Sequence, residues 1–225
     1  MSEIFRYIGD GLHLTSMLLL LSLIIKKKSC IGISYRTQEL FLIVFLSRYS
    51  ELLFMGISSY YLFVMKIVYI SLTAYTMYLM RCKNPIKMTY DSIHDNFPHH
   101  YTIIPIAILL TFIFHITFTY HPIYSYVWSF SIILEAFAMI PQLYMIRRAS
   151  EIEVFSTTFI VCLGLYRFFY VVNWSLRLWL DSYSLNNSAT HLEIFFGMIQ
   201  TVVVSDFIIK YFQALKKENN NVIPI

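Results

Sequence analysis

Long apolar segments follow one another along the chain, and polar connections separate them. Each segment holds roughly 20 residues with few charges, which is the length at which an α-helix crosses the hydrocarbon core of a bilayer. The pattern predicts an all-α membrane protein whose helices lie at 5–25, 38–55, 58–80, 101–120, 123–146, 155–180 and 190–215. We therefore expect a seven-helix transmembrane domain at 1–215, followed by a cytosolic tail at 216–225.

Composition supports the membrane class. Of the 225 residues, 58% are hydrophobic and the mean hydropathy is +0.62, whereas about half of the residues of a soluble domain are apolar. A soluble bundle of buried helices is the alternative, and the repeated charge-poor segments argue against it. The three cysteines give no disulfide framework. Arg6 and Asp10 interrupt the first apolar segment, so we expect it to be retained rather than cleaved as a signal peptide.

Lysine and arginine placement predicts the orientation of the helices. The first, third and fifth connections between the predicted helices are basic, and they carry Lys26, Lys27, Lys28, Arg36, Arg81, Lys83, Lys87, Arg147 and Arg148. The connections on the opposite side of the membrane, near 56–57, 121–122 and 181–189, carry no Lys or Arg. Because basic residues concentrate on the cytosolic side of a membrane, we expect a lumenal N-terminus and a cytosolic C-terminus. The sequon at Asn186 would then lie in a lumenal loop.

The spacing of basic residues also suggests an internal repeat. Arg48-Tyr49 follows the lysine run at 26–28 by about 20 residues, and Tyr166-Arg167 follows the arginine pair at 147–148 by about 19 residues. Two parallel three-helix bundles joined by the fourth helix would explain this spacing, a plan that some transporters use. Chance resemblance is the alternative.

Polar side chains form stripes within the predicted helices, where charge is costly and usually functional. Residues three, four or seven apart share one helix face. The stripes are Arg6, Asp10 and His13; Arg48 and Glu51; Trp128, Glu135 and Gln142; Tyr166, Arg167, Tyr170, Asn173, Trp174 and Arg177; and Glu193, Gly197 and Gln200. Hydrogen bonds and ion pairs between helices are one interpretation. Aromatic and amide groups beside arginines favour a second interpretation, a cavity that binds an anion.

Other polar residues receive different interpretations. Lys66 and Asp206 are isolated, so we expect structural pairing or snorkelling. His13 shares a face with arginine and aspartate, and its ordinary pKa of about 6.5 makes it a candidate pH sensor as well as a candidate core histidine. The spacing of the histidines at 94, 99 and 100 does not indicate a metal site, and we predict no metal and no cofactor. The motifs of intramembrane or metal-dependent enzymes are absent from the sequence, so an enzyme is not expected.

The chain resembles the KDEL receptors, which retrieve escaped lumenal proteins from the Golgi to the endoplasmic reticulum (ER). The resemblance covers nearly the whole chain, in many blocks of matching order and spacing. The matching blocks are Phe5-Arg6 with Gly9-Asp10 and His13, Ser29-Cys30, Gly32-Ile33-Ser34, Arg48-Tyr49, Lys66 to Ile70, Thr89-Tyr90-Asp91, His94-Asp95, Trp128 to Ser131, Leu134-Glu135, Pro141-Gln142-Leu143, Tyr166-Arg167, Asn173-Trp174, Arg177, Gly197 and Gln200-Thr201-Val202.

The resemblance implies a fold like that of the SWEET and PQ-loop transporters and a lumenal cavity for C-terminal Lys/His-Asp-Glu-Leu signals. It implies that Arg6, Arg48, Arg167 and Arg177 hold the acidic groups of the signal. The other candidate ligand-binding residues are Tyr49, Glu51, Trp128, Tyr166, Tyr170, Asn173 and Trp174. Glu51 and Trp128 would face the basic first residue of the signal. His13, Glu135 and Tyr166 would form the protonation switch.

Two further expectations rest on the resemblance. Lys216 and Lys217 would recruit the COPI coat and return the protein from the cis-Golgi to the ER, with ordinary positive-inside flanking as the alternative. Ser125 stands where the family has an acid, so we expect a weaker preference for lysine at the first position of the signal.

A small-solute transporter of the SWEET or PQ-loop type is the alternative function. Nucleic acid is not an expected partner.

Overall fold

The computed structural model describes residues 2–50, 60–114, 122–148, 157–180 and 188–222. Regular structure in these ranges is helical. The α-helices are α1 (Ser2–Lys27), α2 (Tyr35–Arg48), α3 (Tyr60–Cys82), α4 (Ile103–Phe114), α5 (Pro122–Phe137), α6 (Ile140–Arg148), α7 (Thr157–Leu180) and α8 (Ser188–Val222), with a 3₁₀ turn at Ile86–Thr89. The all-helical prediction is confirmed for the described residues.

Five stretches of the described residues are long and apolar enough to cross a membrane. They are Ile4–Lys27, Tyr60–Cys82, Ile123–Arg148, Thr158–Arg177 and His191–Gln213. The second and fourth predicted spans also contain helices, but the described parts of these helices are shorter. A total of seven crossings therefore stays a prediction.

The fifth predicted span is broken near its middle. Helix α5 ends at Phe137 and α6 begins at Ile140. Pro141 has no amide hydrogen, and its ring would clash with the carbonyl group of Phe137 in a continuous helix. The side chain of Gln142 follows the break and binds the chain before α2, where its Oε1 accepts from the Ser34 amide at 2.8 Å. The buried side-chain amide of Gln142 thus links the start of α6 to the residue that precedes α2.

The helices pack in a pattern that the predicted repeat would explain. Helix α3 contacts both α1 and α2, and α8 contacts both α5 and α7. Between these two groups, α1 packs along α7 and α2 packs along α5. Exchanging the groups maps each of these six contacts onto another of the six, whereas α4 packs on α5. Two parallel three-helix bundles would explain these six contacts, and the transporter-like arrangement stays a prediction.

The connection between α3 and α4 is tied to the start of α2. The Asp95 carboxylate accepts hydrogen bonds at 2.7 Å from the hydroxyls of Ser34 and Tyr90 and from the Tyr35 amide. Burial and the hydrogen bond to this carboxylate raise the pKa of Tyr90. Nearby, partial burial opposes ionisation of Asp91, but hydrogen bonds from His94 outweigh it and lower the pKa of Asp91. These bonds hold the loop as a defined structure.

Candidate functional site

A cavity of about 300 Å³ lies between α1, α2, α3, α5, α7 and α8. Its lining combines aromatic, apolar and charged side chains. The lining residues are Arg6, Asp10, His13, Phe45, Arg48, Tyr49, Leu62, Met65, Lys66, Tyr69, Trp128, Ile132, Glu135, Arg167, Tyr170, Asn173, Trp174, Arg177 and Glu193. Among these described residues, five are basic and three are acidic. The cavity therefore carries an excess of positive charge suited to an anion.

Glu135 joins two arginines at the base of the cavity. Its Oε2 lies 2.5 Å from Arg48 Nη1, and its Oε1 lies 2.5 Å from Arg167 Nη2. The carboxylate has a side-chain exposure of 10%, and the Arg167 side chain is 2% exposed. Burial makes such charges costly unless they are paired. Glu135 therefore holds α2 and α7 together through α5.

Arg48 keeps a part of its guanidinium group available. Its Nε donates to Ser131 Oγ at 3.2 Å, and its Nη1 donates to Glu135. Its Nη2 is buried and lacks a hydrogen-bond partner within the described residues. The Asn173 Oδ1 atom is also buried and also lacks a hydrogen-bond partner within the described residues. Because buried polar atoms in proteins are normally hydrogen-bonded, these two atoms are suited to bind a ligand.

Asp10 links α1 to α3 and α7 along one wall. Its carboxylate accepts from Tyr170 Oη at 2.6 Å and from Tyr61 Oη at 3.3 Å. A Cβ atom at Gly9 would lie 2.9 Å from the Tyr170 ring, so glycine permits this close approach. The Tyr170 ring stacks on the Trp174 ring with centroids 5.8 Å apart, and the Trp174 ring lies against Gly197, where a Cβ atom would overlap the indole. The two glycines thus fix the positions of two lining rings.

Two further cations of the lining, Arg177 and Lys66, differ in exposure. Arg177 Nη1 is 4.0 Å from Glu193 Oε2, and the Arg177 side chain is 37% exposed. Lys66 is largely buried, and its Nζ lies 5.6 Å from the centre of the Tyr49 ring. This arrangement gives a cation–π contact.

His13 lies in the wall between the main cavity and a smaller one. Its ring stacks on the Tyr166 ring with centroids 4.4 Å apart and an interplanar angle of 9°. The Tyr69 ring is 5.0 Å away. The smaller cavity, of about 60 Å³, extends from His13 towards Gln142. A proton on this imidazole would add a positive charge next to both spaces.

Comparison with known proteins identifies the family. A family model described as ER lumen protein retaining receptor matches residues 29–177. The ER lumen protein-retaining receptor of Plasmodium falciparum is 43% identical over 215 residues, which cover 96% of this chain and 93% of the relative. The receptor of Dictyostelium discoideum is 39% identical over 99% of both chains, and receptor 2 of Danio rerio is 36% identical over 96% of both.

The chain belongs to the ER lumen protein retaining receptor family. It is therefore a retention receptor rather than an enzyme, as the sequence indicated. Several apolar helices long enough to cross a bilayer fit an ER or Golgi membrane protein.

The structure brings most of the predicted ligand-binding residues to one cavity of this receptor. Arg6, Arg48, Tyr49, Trp128, Arg167, Tyr170, Asn173, Trp174 and Arg177 line it. Tyr166 does not, because it is buried beneath His13, where its hydroxyl accepts from Arg167 Nε at 3.2 Å. Glu51 lies outside the described residues, as does the sequon at Asn186. The binding roles of all these residues stay predictions.

The sequence analysis missed some lining residues. Lys66 was interpreted as structural, but it lines the cavity together with Tyr69. The spacing of Leu62, Met65, Lys66 and Tyr69 places them on one face of α3, which was the available signal. The structural pairing predicted for Asp206 is found, since its Oδ2 lies 2.6 Å from Arg147 Nη2.

The receptor's C-terminal lysines lie on an extension of α8. The helix runs through the predicted tail boundary at residue 215 and ends at Val222. Lys216 is exposed, and the side chain of Lys217 is outside the described part of the chain. Ser125 is buried in α5 and is not among the described lining residues.

Proposed function

We propose that this receptor binds the C-terminal Lys/His-Asp-Glu-Leu-type signals of escaped ER lumenal proteins. The observation that best supports this proposal is that one cavity is lined by Arg6, Arg48, Arg167 and Arg177. The signal presents an aspartate, a glutamate and a terminal carboxylate. Arginine binds such groups through paired, charge-assisted hydrogen bonds.

The charges of the cavity differ in how far they are already neutralised. Glu135 neutralises much of Arg48 and Arg167, whereas Arg177 reaches Glu193 only at 4.0 Å. A ligand carboxylate would be attracted by Arg177 and by Nη2 of Arg48, which has no hydrogen-bond partner among the described residues. The buried Asn173 Oδ1 can accept from a backbone amide of the peptide. Such amide contacts would orient the peptide chain.

Binding would strengthen as pH falls. A protonated His13 would increase the positive charge of the cavity wall, and an anionic ligand would favour that form. By linkage, the affinity for the signal then rises through the pH range in which His13 takes up its proton. The receptor would hold its ligand in the more acidic Golgi and release it in the ER.

Return transport would use the cytosolic end of α8. Lys216 lies at the exposed end of this helix, as a coat-binding lysine requires. We propose that Lys216 and Lys217 recruit COPI when a ligand is bound, with the N-terminus in the lumen. Seven membrane crossings, arranged as two parallel three-helix bundles joined by the fourth helix, would place the N-terminus in the lumen and Lys216 and Lys217 in the cytosol.

Selectivity at the first position of the signal follows from the loss of an acid at Ser125. A side chain without charge there would not favour lysine, so we expect His-Asp-Glu-Leu to bind at least as well as Lys-Asp-Glu-Leu. Titration of the purified receptor with both tetrapeptides measures this preference. A strong preference for lysine would contradict it.

A labelled Lys/His-Asp-Glu-Leu peptide, titrated at pH about 5.5 and 7.4, tests the function as a whole. The receptor proposal predicts saturable binding at the lower pH that weakens at the higher pH. A solute transporter of the SWEET type would bind neither peptide at either pH, and that result would overturn the proposal.

A further inference from the structure

A second cluster of ligand-type side chains lies at the opposite end of α2 from the cavity residue Arg48. Glu39 is in the second turn of α2, and His99 and His100 lie in the turn that leads into α4. His99 Nε2 is 3.0 Å from Glu39 Oε2, and His100 Nε2 is 3.5 Å from Glu39 Oε1. One ligand atom from each of the three residues lies within 4.8 Å of the others. The cluster is separate from the proposed signal-binding cavity.

The hydrogen-bonding capacity of His99 indicates that a cation belongs in this cluster. Its Nδ1 faces the Phe97 carbonyl oxygen at 3.4 Å, and its Nε2 faces the Glu39 carboxylate at 3.0 Å. A carbonyl oxygen and an ionised carboxylate can only accept, and a neutral imidazole carries one N–H group. One ring nitrogen would then direct a lone pair at an oxygen. A proton or a metal ion bound to that nitrogen removes the conflict.

The backbone around the cluster is held in place by Arg36. Its Nε donates to the Asp95 carbonyl oxygen at 2.7 Å, and its Nη1 donates to the Phe97 carbonyl oxygen at 2.6 Å. The loop is therefore fixed to α2 next to Glu39. The His99 side chain is 2% exposed, whereas that of His100 is 52% exposed. The cluster thus combines a fixed inner ligand with an outer one that is open to solvent.

We propose that Glu39, His99 and His100 form a binding site for a divalent transition-metal ion of the zinc class. Two imidazoles and one carboxylate are a known zinc ligand set, which leaves a further position for water. Metal–ligand bonds of about 2.0–2.2 Å place tetrahedral ligand atoms about 3.3–3.5 Å apart, close to the separations seen here. The bound ion would crosslink the start of α2 to the loop before α4.

The sequence predicted no metal because the spacing of the histidines within this loop is not that of a metal-binding motif. The third ligand comes from α2, 60 positions before His99. No spacing rule for local metal motifs spans that separation. The fold alone brings the carboxylate to the two imidazoles.

The test uses full-length receptor in detergent, purified through a tag without histidines and stripped with a chelator. Zn²⁺ is then titrated against a coloured competing chelator. We expect about one Zn²⁺ per receptor, and about 10–100-fold or greater weakening in Glu39→Gln and in His100→Asn. His191→Asn is the matched control, because His191 is an exposed histidine on α8, and we expect it to bind like the parent.

Thermal unfolding provides a second measurement that does not depend on the competitor. Zn²⁺ should raise the melting temperature of the parent and of His191→Asn, and should leave that of His100→Asn unchanged. His100 is exposed, so its replacement is not expected to prevent folding. If the parent takes up no Zn²⁺, or if His100→Asn and Glu39→Gln bind it as tightly as the parent, a proton occupies the cluster and the metal site is wrong.

Discussion

Arg167 and Glu135 form an ion pair of 2.5 Å in the interior of the receptor, where the arginine side chain is 2% exposed. The same carboxylate also binds Arg48 at 2.5 Å. A single carboxylate thus pairs with two guanidinium groups from two different helices, and the three groups together keep one net positive charge. Removing it would leave two charges without their partner in a space with little water.

We therefore expect Glu135→Gln to lower the free energy of unfolding by about 3–5 kcal/mol. The measurement is thermal or chemical unfolding of the purified receptor in detergent. Glu193→Gln is the matched control, because Glu193 meets one arginine at 4.0 Å, and we expect a much smaller loss. Equal losses in the two variants would show that the shared carboxylate has no special role.

Replacement of Arg177 tests ligand binding with little effect on folding. Its side chain is 37% exposed and its ion pair is long, so Arg177→Gln should leave the melting temperature nearly unchanged. The affinity for the signal peptide should fall by about 10–100-fold, since a charged hydrogen bond to the ligand contributes about 1.5–3 kcal/mol. Titration calorimetry measures the affinity. Unchanged affinity would remove Arg177 from the binding site.

Replacement of His13 tests the pH dependence. The stack of its ring on Tyr166 places the titrating group beside the cavity. We expect His13→Asn to bind the peptide with an affinity that changes little between pH about 5.5 and 7.4, whereas the parent weakens at the higher value. His191→Asn keeps the parent's pH profile in this account. A parental profile in His13→Asn would assign the switch to another group.

Replacement of Gly197 tests the close packing of Trp174. Alanine at Gly197 would place its Cβ atom 2.3 Å from Cζ3 of the Trp174 indole, so the ring or α8 must move. We expect Gly197→Ala to lose about 1–3 kcal/mol of stability, as is usual for overpacking, and to weaken peptide binding. Gly11→Ala is the control, since nothing lies within 4 Å of its added Cβ atom. Alanine there should be neutral or stabilising by up to about 1 kcal/mol, because it favours the helix.

Helix periodicity was sufficient to predict which polar residues of α1 face the cavity. Arg6, Asp10 and His13 recur with helical spacing, and this spacing alone places them on one face. The position of Lys66 in the lining could not be predicted, because a lone lysine among apolar residues carries no sign of what the neighbouring helices present to it; its structural role stays a prediction. Its contact with Tyr49 depends on the packing of α2 against α3.

The interior of the fold was less predictable than its spans. Tyr166 was expected both among the ligand-binding residues and in the protonation switch; its ring stacks on His13, which fits the second role, and both roles stay predictions. Which of two adjacent residues, Tyr166 or Arg167, reaches the cavity depends on the rotation of α7 relative to α1. Periodicity does not determine that rotation to within one residue. The Glu39–His99 contact escaped detection because it joins distant parts of the chain.

The central claim is that clustered arginines bind a free, acidic chain end. The most direct test is titration of the receptor at pH about 5.5 with the tetrapeptide His-Asp-Glu-Leu and with the same peptide carrying a C-terminal amide. The account predicts that amidation weakens binding by about 100-fold or more, because it removes one of the three carboxylates that the guanidinium groups hold. Equal affinity for the two peptides would contradict it.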